Sequence, residues 1–291
     1  MYFYFLHFSM LQQPLICPYC KKPLHATSNK NYVCELNHSF DVSKEGYLNL
    51  LPVNQKKSKS PGDNEMMISA RRNFLELGFY DPLIERIKTI ITADFTFKNN
   101  HFIALDAGCG EGYYSEKVMN TLPGLSSQII GTDISKYAVK NAAKKYKKNF
   151  YFVSSVFNLP VATESVDLIL SIFSPFQPEE FQQILAQDGD VIIVSPGENH
   201  LKELAELIYD SFRTHENNVI ERMTPTFEHY ATKKAPFNIH ITEVESLLIL
   251  LKMTPYSWST SKENLVKIEN CKDLNITCDF NISIFKHPTA N

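Results

Sequence analysis

The chain has 291 residues, 44% of them hydrophobic and 21% charged, with a net charge of −3 and six cysteines. That length suits one large domain plus a small one, and the absence of any apolar run of about eighteen residues argues against a membrane-spanning helix. Six cysteines, three of them in a metal-ligand pattern, speak against a disulfide framework and for a reducing cytoplasm.

The N-terminal MYFYFLHFSML is apolar and aromatic but lacks the basic start and small-residue cleavage site of a secretory signal. Residues 1–14 are expected to be an extension outside the fold, with Met10 as the true start and residues 1–9 not native. Residues 17–38, CPYCKKPLHATSNKNYVCELNH, carry a zinc-type ligand set. Cys17 and Cys20 flank a tight turn, and thirteen residues separate Cys20 from Cys34, which His38 follows. Two such pairs, joined by a short hairpin, can surround one ion tetrahedrally and leave no open position, which predicts a structural metal. By spacing alone His25 is an alternative fourth ligand. The net charge does not suggest a nucleic-acid binder, but its distribution is uneven. From Cys17 to Arg72 there are nine Lys or Arg against five Asp or Glu. Lys56, Lys57, Lys59, Arg71 and Arg72 are candidates to hold RNA phosphates, and the alternative is a solvated face.

A polar stretch from Asn54 to Asn64, with a Pro61-Gly62 turn, reads as a linker. Apolar spacing over 65–93 predicts helices interrupted at Gly78, with Pro82 in the first turn of the second. Strands are expected at Phe102–Asp106, Ile129–Ile134, Phe150–Ser154, Val166–Ile172 and Asp190–Ser195. Helices are expected at 113–122, 135–148, 178–187 and 199–213. This alternation predicts an α/β fold with a parallel sheet covered on both faces. In the tail, strands at Phe237–Ile241 and Asn275–Phe285 around a helix at 243–252 are expected to form an antiparallel edge of that sheet.

The first of these strands runs into LDAGCGEGYY. Asp106 ends the strand, and Gly108, Gly110 and Gly112 allow a tight turn that a ligand can approach closely. A dinucleotide fold prefers a small residue where Tyr113 stands. The next strand ends at Gly131-Thr-Asp133, about twenty residues on, where a carboxylate can accept hydrogen bonds from ribose hydroxyls. Glycine turn, acid and strand order together fit S-adenosylmethionine, which has a ribose and a sulfonium but no phosphate. After the fourth strand, Ser171-Ile-Phe-Ser-Pro175-Phe-Gln contains neither the Asp/Asn-Pro-Pro-aromatic tetrad of adenine amine methylation nor the cysteine nucleophile of pyrimidine carbon methylation. Direct attack by a ring nitrogen is compatible with it. The proton acceptor for such a step, and any other catalytic residue, is not identified by the sequence.

Several motifs coincide in one family. CPYC with CELNH, KEGYLNLLP at 44–52, PGDNEMM at 61–67, ARRNFLELGFYDPL at 70–83, LDAGCGEGYYS, GTDISKYAVKNAAKKY, SPGENHL, LKMTPYSW and DFNI run from about Leu15 to the C-terminal strand. In these the chain resembles the bacterial 23S ribosomal RNA guanine-N(1)-methyltransferases, the group that includes the mycinosyl-tylosin resistance enzymes. The resemblance implies zinc on Cys17, Cys20, Cys34 and His38, and cofactor contacts at Tyr80, Gly110, Glu111 and His200, to which the pattern above adds Asp106, Gly108 and Asp133. It implies a Rossmann-like methyltransferase sheet at 101–291, a zinc-binding RNA-recognition module at 15–53 and a linker and helical segment at 54–100. The implied partner is a 23S ribosomal RNA hairpin in the cytoplasm, with no membrane, and pairing of two chains through the helical segment stays open. The alternatives are methylation of a small molecule or protein, and a non-catalytic ribosome-binding or RNA-binding module.

Overall fold

The computed structural model describes residues 14–28, 30–55, 62–95, 102–119, 127–209, 214–215, 217–271 and 273–288. Met10 and the rest of 1–13, like Lys56, Lys57 and Lys59, lie outside the described residues. The N-terminal ribbon is a three-stranded antiparallel sheet of β1 (His25–Ala26), β2 (Asn31–Val33) and β3 (Ser39–Asp41). So small a sheet cannot bury a core alone. Leu15, Leu24 and Tyr32 instead pack with Phe150 and Phe152 of the large domain. Backbone bonds from Ile16 N–H to the Pro160 carbonyl (3.0 Å) and from Ala162 N–H to the Pro14 carbonyl (2.7 Å) fasten the ribbon down. The chain then enters β4 (Leu48–Asn49), which joins the edge of the main sheet.

Helix α1 (Glu65–Glu76) starts where the Asn64 side chain accepts the Met67 N–H at 2.9 Å, and it buries Met67, Ile68, Phe74 and Leu75 at helical spacing. Helix α2 (Asp81–Asp94) has Pro82 in its first turn, where a missing N–H costs nothing. Then follow β5 (Phe102–Ala107), β6 (Ser127–Asp133), α3 (Lys136–Lys145), β7 (Phe150–Val153), β8 (Val166–Ile172), α4 (Pro178–Ile184) and β9 (Leu185–Pro196). The C-terminal part comprises α5 (Lys202–Ile208), α6 (Val219–Met223), β10 (Glu228–Lys234), β11 (Phe237–Ile241), α7 (Val244–Lys252), α8 (Lys262–Glu269), β12 (Leu274–Cys278) and β13 (Phe280–Lys286).

The main sheet has eight strands in the order β10-β13-β9-β8-β5-β6-β7-β4. Strands β4 to β9 of this sheet run parallel, and β13 lies antiparallel between β9 and β10. Alternate residues of β5 face the two layers: Phe102 and Ala104 pack towards α1, α2, α5 and α7, whereas Leu105 and Ala107 face the ribbon and α4. The chain moves outward from β5 through β6 to β7, then returns to β8 on the other side. The gap between the ends of β5 and β8 is therefore the switch point where a parallel sheet of this kind binds its ligand.

The expected alternation of strands and helices is present. Its ends shift: α3 spans Lys136–Lys145 within the expected 135–148, and β9 begins at Leu185, without a loop after α4. The tail differs from expectation. Strand β10, EHYATKK, carries no apolar alternation because it is an exposed edge, and its charges suit that place. The segment expected as one strand at Asn275–Phe285 is two, β12 and β13, broken at Asp279, whose carbonyl accepts the Gly197 N–H at 2.8 Å. Strand β12 pairs with β11 in a separate two-stranded sheet, so β13 and β10 complete the main one.

Candidate functional site

In the ribbon, one donor atom from each of Cys17, Cys20, Cys34 and His38 lies within 4.8 Å of the others. Cys20 Sγ is 3.5 Å from Cys34 Sγ, and His38 Nδ1 is 3.5 Å from Cys17 Sγ and 3.4 Å from Cys34 Sγ. Donors bound tetrahedrally to zinc stand about 3.5–3.8 Å apart, as Zn–S and Zn–N bond lengths require, so this set fits the ion with Nδ1 as the imidazole donor. Burial would raise the Cys34 thiol, but N–H groups of His38 and Leu36 and the side chains of Cys20 and His38 bring it down to about 6. That favours the thiolate a metal needs. His25 stands in β1, exposed and outside the group.

The glycine turn leaves the end of β5. Gly108 has φ 85°, and a Cβ there would lie 1.8 Å from Ser174 Oγ, so the loop after β8 rests directly on this glycine. Gly110 has φ 54°, and a Cβ there would meet nothing within 4 Å. That side of the turn is open, so a ligand can approach the backbone there. Asp133, at the end of β6, accepts the Gly110 N–H at 3.0 Å and the Ser135 N–H at 2.7 Å, which ties the turn to the neighbouring strand. Asp106 is only 3% exposed beneath the turn and accepts the Ser115 hydroxyl. Burial pushes its carboxyl up to about 7, with the Ser115 hydrogen bond opposing and the Asp133 charge adding. Burial also raises Asp133.

Tyr113 donates its hydroxyl to the Leu75 carbonyl at 2.9 Å and so joins the turn to the end of α1. From Tyr113 and Tyr114 a chain of ring contacts leads through Phe173 and Phe280 to His200 and Tyr80. The Tyr80 and His200 rings stand 6.4 Å apart. Burial, joined by the nearby His215, lowers His200 to about 3, so its imidazole is neutral at physiological pH. Among the described residues, four buried side-chain polar atoms lack a partner: Tyr80 Oη, Glu111 Oε1, His200 Nδ1 and Ser171 Oγ. Buried polar groups are almost always paired. Three of these four belong to residues that the resemblance assigns to the cofactor, and a polar ligand is what such groups lack. The residues present therefore fit S-adenosylmethionine.

Sequence reasoning missed three parts of this arrangement. Arg71 and Arg72 were candidates for RNA phosphates, but Arg71 pairs with Asp63 at 2.6 Å and Arg72 with the buried Glu111. Arg72 clamps α1 onto the turn, across a sequence distance that carries no local signal, whereas Arg71 stays with the segment just before α1. Ser115, the partner of Asp106, is detectable only as a small polar residue in the helix after the turn. Phe173 stands beside the His200 and Phe280 rings with φ 53°, and nothing in the sequence marks a phenylalanine for a left-handed conformation.

A parallel sheet reversed at its final strands, with a glycine turn and an acid at the switch point, defines an S-adenosylmethionine-dependent methyltransferase, here bearing a zinc ribbon. The comparisons agree: the family model for the RlmA N-terminal zinc ribbon matches residues 15–59, and one for a methyltransferase domain matches residues 104–192. Bacillus subtilis "Putative 23S rRNA (guanine-N(1)-)-methyltransferase YxjB" is 34% identical, over 92% of this chain and 95% of that protein. The 23S rRNA (guanine(748)-N(1))-methyltransferase of Streptomyces fradiae is 28% identical, over 87% of this chain and 89% of its own. The chain belongs to the 23S rRNA (guanine-N(1)-)-methyltransferase family. No helix among the described residues is long and apolar enough to cross a membrane.

Proposed function

We propose that this protein methylates nitrogen one of a guanine in a hairpin loop of 23S ribosomal RNA, in the cytoplasm where ribosomes are made. The observation that carries the reading is the combination, in one chain, of a zinc ribbon packed on the sheet with a glycine turn and with buried polar atoms that lack partners. When bound, S-adenosylmethionine would supply an electrophilic methyl on a sulfonium, and guanine would pass its N1 proton to water as the nitrogen takes the methyl and the thioether leaves. Asp133 accepts from the ribose hydroxyls, the open face of Gly110 admits the cofactor against the backbone, and Tyr80, Glu111 and His200 offer their unpartnered atoms to its polar groups. Asp106 acts from beneath by holding the turn. His200, with its pKa near 3, is too weak a base to take the proton and orients instead. The aromatic cluster keeps water away, where loss of the positive charge is most favoured.

The ribbon and its basic neighbours grip the RNA at 15–53, while 101–291 carries out the transfer. One chain, or two joined through α1 and α2, holds the hairpin, and sedimentation with RNA bound tells the two apart. The reading is tested on ribosomal RNA from cells with and without the gene. A methyl on N1 blocks the Watson–Crick edge and halts reverse transcription. The expected outcome is one stop, and one methylguanosine by mass spectrometry, lost in the deletion. Purified protein that leaves unmodified 23S RNA unchanged would refute the reading.

A further inference from the structure

We propose that Phe173 is the platform on which the target base is held, a positioning residue that fixes the plane of the purine; this deepens the RNA-methylation reading and rests on it. Phe173 directly follows β8 at the switch point and holds φ 53°. A bulky residue in the left-handed region costs on the order of 1–3 kcal/mol and persists only where its surroundings force it. Here they do. The Phe173 N–H donates to the Val194 carbonyl at 3.0 Å, and Ser174 is seated on Gly108. Arg222 donates to the Phe176 carbonyl at 2.9 Å while its guanidinium lies 4.0 Å from the centre of the Phe176 ring.

Hydrophobic burial does not account for this arrangement, because Phe173 is still 41% exposed. What the strained backbone achieves is placement. The ring meets Phe280 at 5.3 Å and the edge of Tyr114 at 6.2 Å, and it lies within 18° of parallel to His200 at 6.5 Å. It thus borders the proposed cofactor site through His200 on one side and opens to solvent on the other.

A guanine swung out of an RNA loop loses its stacking neighbours, and an aromatic ring replaces them at about 1–3 kcal/mol per base. The reacting nitrogen lies on the Watson–Crick edge, in the plane of the base. Stacking therefore fixes that plane and leaves the edge free to face the methyl group. Such a platform selects a flat, extruded base, whereas the ribbon selects the RNA around it.

The test uses full-length protein, S-adenosylmethionine and unmodified 23S RNA transcript. Phe173→Leu keeps the apolar volume but removes the ring, and it should lower kcat/KM for RNA about tenfold to a hundredfold. Phe173→Tyr and Phe173→Trp should recover most of that loss. Cofactor affinity by calorimetry should stay within twofold in all three. Phe173→Gly relaxes the backbone, so its melting temperature should match or exceed the parent's while methylation falls at least as far as in the leucine variant. Leucine at the parent's kcat/KM would overturn the platform while leaving the function standing. So would an equal loss in leucine and tryptophan variants accompanied by lost cofactor affinity. A parent protein that does not methylate the transcript would overturn both.

Discussion

In the ribbon four donor side chains stand against one another; among the described residues, Tyr80, Glu111 and His200 each bury a polar atom that touches no partner. The metal site is continuous with the hydrophobic core, since Cys17 and Cys34 pack in the same cluster as Leu48, Phe150 and Phe152. An ion there acts as a core constituent, and its loss is a loss of fold. The proposed cofactor site carries unsatisfied groups at about 1–3 kcal/mol each, a cost that a bound ligand would relieve. One site gives stability permanently, whereas the other withholds some so that binding can supply it.

Four perturbations break or sharpen this contrast. Cys34→Ser should have the largest effect, since a structural zinc contributes on the order of 10 kcal/mol to a small module. Metal content by plasma emission should fall and unfolding should begin in the ribbon; unchanged zinc would remove Cys34 from the set. Asp133→Ala should weaken cofactor binding about a hundredfold, the loss of two hydrogen bonds to a charged group, with zinc content unaltered. Calorimetry showing the parent's affinity would reject the ribose assignment.

A third perturbation concerns pH. The Asp106 carboxyl ionises at about 7 in the fold against 3.8 in a model peptide. Between those values the folded chain keeps a proton that the unfolded chain releases, so stability contributed by this group is full below the window and lost as pH rises through it. The slope is at most about 1.4 kcal/mol per pH unit. Asp106→Asn removes it, so the melting temperature of the variant relative to the parent should climb from pH 4.5 to 7; parallel curves would contradict the buried, protonated carboxyl. The smallest effect should come from Tyr80→Phe, which deletes an unpartnered hydroxyl. Without cofactor the variant should be about 1 kcal/mol more stable, and its cofactor affinity should be a few-fold lower. A destabilised variant would show that the hydroxyl has a partner in the free protein.

The sequence displayed what is local. The grouping of Cys17 with Cys20 and Cys34 with His38, the turn from Asp106 through Gly112, and the strand–helix alternation after 101 all repeat over a few residues, so their geometry is written in spacing. What stayed hidden is long-range or conformational. The Arg72–Glu111 pair joins a helix to a loop with no pattern to announce it. Strand β10 lacks apolar alternation because it is an edge strand whose residues alternate only between exposed and half-buried. The division of β12 from β13 depends on which partner each finds, β11 or β9. The left-handed Phe173 is imposed by its neighbours, against its own preference.

Strand β4 is only two residues long, yet with the bond from Leu50 N–H to the Val153 carbonyl it covers the outer edge of β7. A chain shortened to begin at α1 would bare that edge together with the rings of Phe150 and Phe152, an open template for strand addition. Such a fragment should self-associate at concentrations where the whole protein stays dispersed. The ribbon is therefore also a solubility device, and removing zinc should first show itself as aggregation.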